Sequence, residues 1–391
     1  MLRFPRAFTF SAFRLSALLL GCPSLAQIPA PLLKAGPAGH YLTDENGTPF
    51  QLRGEAAWSL PVQLAREGVT AYLDDRQAKG FNAMLVEVIN VNDGYATNAP
   101  KNAYGETPFQ SADTRHLITT HWARNSTGTD GKPAWLTLNS SYTGIDELAG
   151  RILADYAVAP ILPSALLESY YEGSLPGQPQ LTTREVRGEA WKAYLSGACG
   201  NFYAHHSIWP FGSNWQAALG SPGALSIAKL NGFFAGLAWW NLIPDLGNTL
   251  VTGDKGSGRN SLSAARADVG SFAVIYVPTG GTFTVDLSRL TGKAVKATWF
   301  DPYSGATHAA SASPLAKSAR VFNPVGENGK NADPAAANDW VLLLESDVTA
   351  GILPDRRHDR TGRKGIEFAF AGKRSNLRGQ FVTSSRKDGK N

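Results

Sequence analysis

Apolar and polar positions along the chain fall into two regimes. Up to about residue 236, near-continuous apolar runs alternate with stretches of helical period. Residues 66–79 place Tyr72, Leu73, Arg76 and Lys79 as an apolar–charged helical pattern, with Gly80 to end it. Residues 81–89 then read as a buried strand with polar ends. Further strand-like runs lie at 116–121, 134–139 and 160–168. A helix fits 184–195, a strand 200–209 and a helical stretch 222–236. Strands that are apolar almost throughout, separated by helices, predict a parallel sheet covered on both faces. Residues 41–53 form a hairpin pattern around Asn46-Gly47, ahead of the first long strand. Beyond about residue 260 the pattern changes. Short runs at 272–277, 282–287, 294–300 and 340–344 are punctuated by Gly, Pro, Asp and Ser, which predicts an antiparallel β-sandwich. Residues 90–113 read as a long polar loop.

Composition adds scale and compartment. With 391 residues, 43% hydrophobic and 18% charged, the chain has room for one barrel-sized domain and a smaller one. Residues 1–26 read as a secretory signal: Arg3, Arg6 and Arg14, a short apolar core from Leu15 to Leu20, and Ser24-Leu25-Ala26 before Gln27. That core is too short to span a bilayer, so no transmembrane segment is expected. Leu19-Leu20-Gly21-Cys22 resembles a lipoprotein box, but Leu20 and Pro23 fit one poorly, and simple cleavage is preferred. Cleavage leaves Cys199 as the single cysteine, which excludes an intrachain disulfide and suits a periplasmic or secreted protein. The net charge of +5 is unevenly spread. Residues 352–391 carry eleven Lys/Arg against four Asp/Glu, the signal adds three Arg, and the body between them is at −5. The basic surplus belongs to the tail, so no nucleic-acid partner is expected.

Candidate chemistry centres on Glu168. It ends the run Ala165-Leu166-Leu167 and is followed by Ser169-Tyr170-Tyr171-Glu172-Gly173. An acid at the end of a barrel strand, with aromatic residues and glycine behind it, is how a parallel barrel presents a carboxylate to a sugar. Ten Trp and twelve Tyr supply ring faces suited to sugar C–H groups, although aromatics also pack cores. Glu55, Trp58, Glu87, Asn90, Asn92, His121, Asn139, Tyr142, His205, His206 and Trp209 fall at strand ends or adjoining loops and are candidate substrate contacts, with Asn82 beside them. Glu55 and Glu87 read equally as structural acids, and Glu172 as a loop or helix-start acid. The three histidines match no metal-binding spacing, so no metal and no cofactor is expected. Gly253-Asp254-Lys255-Gly256-Ser257-Gly258 lacks the strand–loop–helix setting of a phosphate loop and reads as an interdomain linker.

Several segments, in order, resemble one family. Gly54-Glu55-Ala56-Ala57-Trp58 with residues 72–82 resembles the opening of the apiosidase-like glycoside hydrolase barrel. Leu166-Leu167-Glu168-Ser169-Tyr170-Tyr171-Glu172-Gly173 resembles its late acidic motif. Gly197-Ala198-Cys199-Gly200-Asn201-Phe202-Tyr203 through Trp209 resembles its last strand. Val295-Lys296-Ala297-Thr298-Trp299-Phe300-Asp301-Pro302 resembles the companion "putative collagen-binding domain". The resemblance covers roughly residues 40–347. It implies a (β/α)8-type TIM barrel plus a C-terminal antiparallel β-sandwich, a carbohydrate ligand, and a catalytic role for Glu168 at the strand-seven position. It also implies a gap, because Tyr104 to Phe109 run almost directly into His116 to His121 where the family has a large part of its barrel. An incomplete barrel of about six strands is expected, with the third and fourth βα units and the strand-four acid absent. Family members usually carry Asp where Glu55 stands. The expected layout is signal 1–26, linker 27–39, barrel 40–259, sandwich 260–348 and a basic, largely disordered tail 349–391. The expected activity is hydrolysis of O-glycosidic bonds in apiose-containing pectic side chains, and the alternative is a non-catalytic carbohydrate- or matrix-binding descendant. The oligomeric state is left open.

Overall fold

The computed structural model describes residues 31–86, 117, 119, 121, 136–310, 313–335 and 338–348. A small antiparallel sheet opens it, pairing Lys34–Ala35 with Leu42–Thr43 and the latter with Pro49–Phe50. The turn at Asn46-Gly47 forms as the sequence predicts, with Gly47 at φ 82° and its N–H bonded to the Asp44 carbonyl. Lys34–Ala35 is thus paired strand within the stretch expected to be linker.

Five parallel strands follow: β1 (Leu52–Ala56), β2 (Ala83–Leu85), β3 (Asn139–Tyr142), β4 (Ser164–Glu168) and β5 (Gly200–Tyr203). Their order in the sheet is β2-β1-β5-β4-β3, with every pair parallel. The longer helices that alternate with and follow them are α1 (Arg66–Ala78), α2 (Leu148–Ala157), α3 (Thr183–Leu195) and α4 (Pro222–Ala235). Helix α2 was not expected. It has no side-chain cap and includes Gly150, yet it buries Leu148, Ile152 and Asp155 as one stripe. Of the strand expected at 116–121, only residues 117, 119 and 121 are described, and none of them lies in a strand. The strand expected over 200–209 stops at Tyr203. After Ala204 the chain folds into a tight turn in which Ile208 and Trp209 donate to the His205 carbonyl.

Side-chain alternation sets the two faces of this sheet. Leu52, Leu85, Leu138, Ala165, Leu167, Cys199 and Phe202 form one cluster. Leu166 points the other way, onto α2 and α3 with Leu148, Ile152 and Ala193. At the carboxyl end of the strands Ala56, Tyr171 and Ala204 close over the first cluster with Trp58 and Trp209.

The second unit is built of antiparallel strands: β6 (Leu242–Pro244), β7 (Val251–Thr252), β8 (Ser263–Ala267), β9 (Phe272–Val277), β10 (Phe283–Asp286), β11 (Ala294–Phe300), β12 (Thr307–Ala309), β13 (Ala319–Phe322) and β14 (Trp340–Ser346). The larger sheet runs β12-β11-β14-β9-β8-β6, with Leu315–Ala316 on β11, and the smaller runs β7-β10-β13. The antiparallel sheets therefore recruit β6 and β7 from the segment expected to belong to the barrel. Strand β9 is buried on both faces. Its Ala273, Ile275 and Val277 share a core with Val251, Val285 and Phe322 of the smaller sheet. Its Phe272, Val274 and Tyr276 pack with Val186, Ala190, Trp191 and Phe234 of α3 and α4. The residues expected to form an interdomain linker fold back onto α3, where Lys192 Nζ donates to the carbonyls of Gly258 and Ser261. No helix among the described residues is long and apolar enough to cross a membrane.

Candidate active site

Glu168 is the last residue of β4, at the carboxyl end of the parallel sheet. Its side chain is 15% exposed, and both oxygens have partners. Tyr171 Oη donates to Oε1 at 2.6 Å. His121 Nε2 lies against Oε2 as an ion-pair neighbour. Trp58 Nε1 donates to Tyr171 Oη at 2.7 Å. An indole N–H can only donate, so it occupies a lone pair of the phenol and leaves the phenol's single hydrogen for the carboxylate. The order Trp58 to Tyr171 to Glu168 is thereby fixed. Burial, then the adjacent Glu168, push the Tyr171 hydroxyl well above its ordinary value, so it stays a donor.

Rings surround this carboxylate. His121 stands edge-on to Trp58 at 5.4 Å and tilted against Tyr142 at 5.0 Å, and Tyr171 meets His206 at 5.1 Å and Trp209 at 6.4 Å. Local backbone contacts hold these residues together. The Ser59 N–H donates to the Trp209 carbonyl, which ties the loop after β1 to the loop after β5. Tyr142 sits opposite Glu168 across a bulge in the β3–β4 ladder. Both ring nitrogens of His206 are buried without a hydrogen-bond partner. Burial first, and His205 second, lower its pKa and favour the neutral imidazole, which can donate and accept.

The structure thus brings together Trp58, His121, Tyr142, Glu168, His206 and Trp209, and adds Tyr171. Tyr171 is the residue that sequence reasoning did not select, because an aromatic three residues after the acid reads as packing. Other candidates lie elsewhere. Glu55 is fully buried, and its carboxylate accepts from Arg76 Nε at 2.5 Å, Arg76 Nη2 at 2.8 Å and Tyr72 Oη. Both oxygens are taken, and the residue points to α1. Asn139 shares its strand face with Ser141, whose hydroxyl donates to Asp155 of α2, so it faces the helix layer. Asn82 accepts from the Arg53 N–H and donates to the Gln51 carbonyl, which fixes the start of β1. His205 accepts from the Ser207 N–H at Nδ1 and lies next to Glu172. Burial lowers its pKa, against the raising effect of Glu172. Glu172 accepts from Tyr203, Ser221 and the Gly223 N–H, capping the start of α4. Glu87, Asn90 and Asn92 lie outside the described residues. Among the described residues, no group of three His, Cys, Asp or Glu could hold a metal ion.

A partly exposed carboxylate at the strand ends of a parallel sheet, among tryptophans, tyrosines and histidines, suits a sugar-binding cleft, and the fold is that of glycoside hydrolases. A solved glycoside hydrolase is 19% identical with a TM-score of 0.68, over 81% of this chain and 97% of that one. A family 5 glycoside hydrolase from Bacteroides vulgatus ATCC 8482 is 18% identical with a TM-score of 0.70, over 83% and 96%. At such identities the likeness is one of fold. The family model "Apiosidase-like, catalytic domain" matches residues 37–115 and 107–241, and "Putative collagen-binding domain of a collagenase" matches 243–345. The chain belongs to the apiosidase-like family. A search of curated proteins returned no match to it.

Proposed function

We propose that this chain is an exported glycoside-hydrolase-type protein that takes apiose-containing side chains of plant pectic polysaccharide at the Glu168 site. The single observation that carries the reading is the directed chain from Trp58 through Tyr171 to Glu168, set among rings at the carboxyl ends of parallel strands. A hydroxyl donor on Oε1 leaves the other oxygen to attack an anomeric carbon, as the nucleophile of a retaining glycosidase does. Trp58, Tyr142 and Trp209 offer faces to the sugar's C–H groups. The signal-like residues 1–26 are the basis for export. The incomplete barrel remains part of the reading, with the antiparallel sheets as its companion sandwich. It is supported by the two-piece family match, which meets at residues 107–115 where the sequence leaves no room for two βα units.

A specific observation favours a second reading. Glu55 and Glu172, the other acids described at this end of the sheet, are consumed by structural partners. Protonation of a poor leaving group needs a free second acid. The chain would then bind sugar without cleaving natural linkages. One experiment separates the two. Apiose-containing pectic oligosaccharide and an activated aryl apioside are each incubated with wild type and Glu168→Gln. Release of sugar from both substrates, lost in the variant, supports the hydrolase. Cleavage of the aryl glycoside alone means that Glu168 is a nucleophile without an acid partner. Binding with no cleavage of either overturns the enzyme reading, and neither binding nor cleavage overturns both.

A further inference from the structure

We propose that Glu189 is a neutral carboxylic acid that holds the ends of β3 and β4 in register behind Glu168, and so acts as a positioning residue for the site. This inference rests on the reading that the Glu168 end of the sheet is the functional face. Glu189 lies on α3, buried, with its carboxyl against the residues that follow Glu168. The Ser169 hydroxyl stands 2.6 Å from Glu189 Oε1 and 2.7 Å from the Thr143 carbonyl oxygen. A serine hydroxyl has one hydrogen. Were Glu189 ionised, both neighbours would be pure acceptors, and one of these short contacts would set lone pair against lone pair. A proton on Glu189 resolves this: Glu189 donates to Ser169 Oγ, Ser169 donates to the Thr143 carbonyl, and the Tyr170 N–H donates to the same carboxyl. Thr143 directly follows Tyr142, and its N–H reaches the Glu168 carbonyl. The proton therefore links the strand ends that carry Tyr142, Glu168 and Tyr171.

The surrounding charges agree. No cation among the described residues forms an ion pair with Glu189. Burial is the main cause that pushes its pKa up to about 8, and Glu185 on the same helix adds to this. The opposing cation, Arg259, is occupied by Glu185 at 2.6 Å and Asp146 at 2.7 Å. On the strand side the nearest acid in sequence is Glu168, whose oxygens go to Tyr171 and His121. The sign follows. The folded chain keeps a proton that the unfolded chain releases near 4.5, so the stability from this contact is complete at low pH and is lost as pH rises through about 8.

The test uses carbon-13 NMR of the full chain with labelled glutamate carboxyls, and nitrogen-15 NMR of the tryptophan indoles. Wild type is expected to show one carboxyl titrating near pH 8 that is absent from Glu189→Gln. The Trp58 indole signal is expected to follow the same titration in wild type and to stay flat in the variant, whose amide is neutral at every pH. Oligosaccharide binding or hydrolysis is expected to decline above pH 8 in wild type and to hold to pH 9 in the variant. No carboxyl titrating above pH 7 overturns the proposal, which needs no variant to fold. A Trp58 signal equally pH-dependent in both proteins overturns the positioning role. If neither protein takes sugar, the proposed function fails, while the two NMR titrations still decide this one.

Discussion

Replacing Glu55 with glutamine separates a structural acid from a site acid. Glu55 is the penultimate residue of the strand β1, where a sugar contact is expected, yet it is fully buried against Arg76, which is itself fully buried. Burial opposes the guanidinium charge, Glu55 outweighs that cost, and Arg76 ends above its ordinary pKa. The substitution keeps the shape and removes the counter-charge. Breaking a buried pair costs about 3–5 kcal/mol, because the remaining charge is left uncompensated. Asp75 Oδ1 also takes Arg76 Nη1 at 2.9 Å, and the Leu219 carbonyl takes it at 3.0 Å, so the lower end of that range applies, about 3 kcal/mol. For a protein of 391 residues, with an unfolding entropy of about 2.1 cal/mol/K per residue, that lowers Tm by roughly 4 °C. Removing both partners in Glu55→Leu/Arg76→Met should recover most of the loss, since an apolar pair strands no charge. Thermal melts and urea titrations of these three proteins give the comparison. Oligosaccharide titration at a temperature where all are folded gives the second readout, and affinity should be unchanged. A Glu55→Gln protein that melts with wild type but loses sugar would sink the reasoning and return Glu55 to the cleft.

Tyr171→Phe removes the donor on Glu168 and strands the Trp58 indole N–H. A hydrogen bond to a charged group contributes about 1.5–3 kcal/mol, so kcat/KM, or affinity if the chain only binds, should fall about tenfold or more with little change in fold. An unchanged value would remove Tyr171 from the site. Arg187→Ala leaves Asp333 and Asp339 buried without their cation, at a cost of about 3–5 kcal/mol, and calorimetry should show the two units losing their common transition. A single unshifted transition would contradict the interface. Gly54→Ala drives a Cβ into the Phe202 ring and should cost about 2–3 kcal/mol, relieved by adding Phe202→Leu. Additive melts for that pair would show that the ring is not what the methyl meets.

Strand existence was legible wherever β-branched and aromatic residues ran together, as in Phe272–Val277, but which faces they bury was not. Those six residues divide between two cores, and only the docking of α3 against the larger sheet decides that. Helix α3 shows the same limit from the other side. Its Arg187, Glu189 and Lys192 look like a solvated face, yet every residue from Glu185 to Leu195 is buried. The partners of Arg187 lie 146 and 152 residues away, so no local pattern could point to them. For Glu55 the sequence does carry a local signal. Period-two alternation puts Glu55 opposite Gly54 and Ala56, which turn to the interior, and Tyr72 and Arg76 stand one turn apart on the next helix to receive it.

What sets Glu168 apart from the other acids of its unit is therefore not its position at a strand end, which Glu55 shares. The difference lies in how completely folding consumes each carboxylate. Glu55 has three donors and no exposure, and Glu172 has two hydroxyls and a helix N-terminus. Glu189 is held between a serine hydroxyl and a backbone N–H. Glu168 has one phenol and one imidazole and keeps part of its surface open. A sugar reaching it would displace His121 from Oε2, while Tyr171 stays anchored by Trp58 on the opposite oxygen. An acid with one fixed and one exchangeable partner can be oriented before the ligand arrives and still be free to react with it. That asymmetry, invisible in the run Ala165-Leu166-Leu167-Glu168, is what supports the role proposed for Glu168.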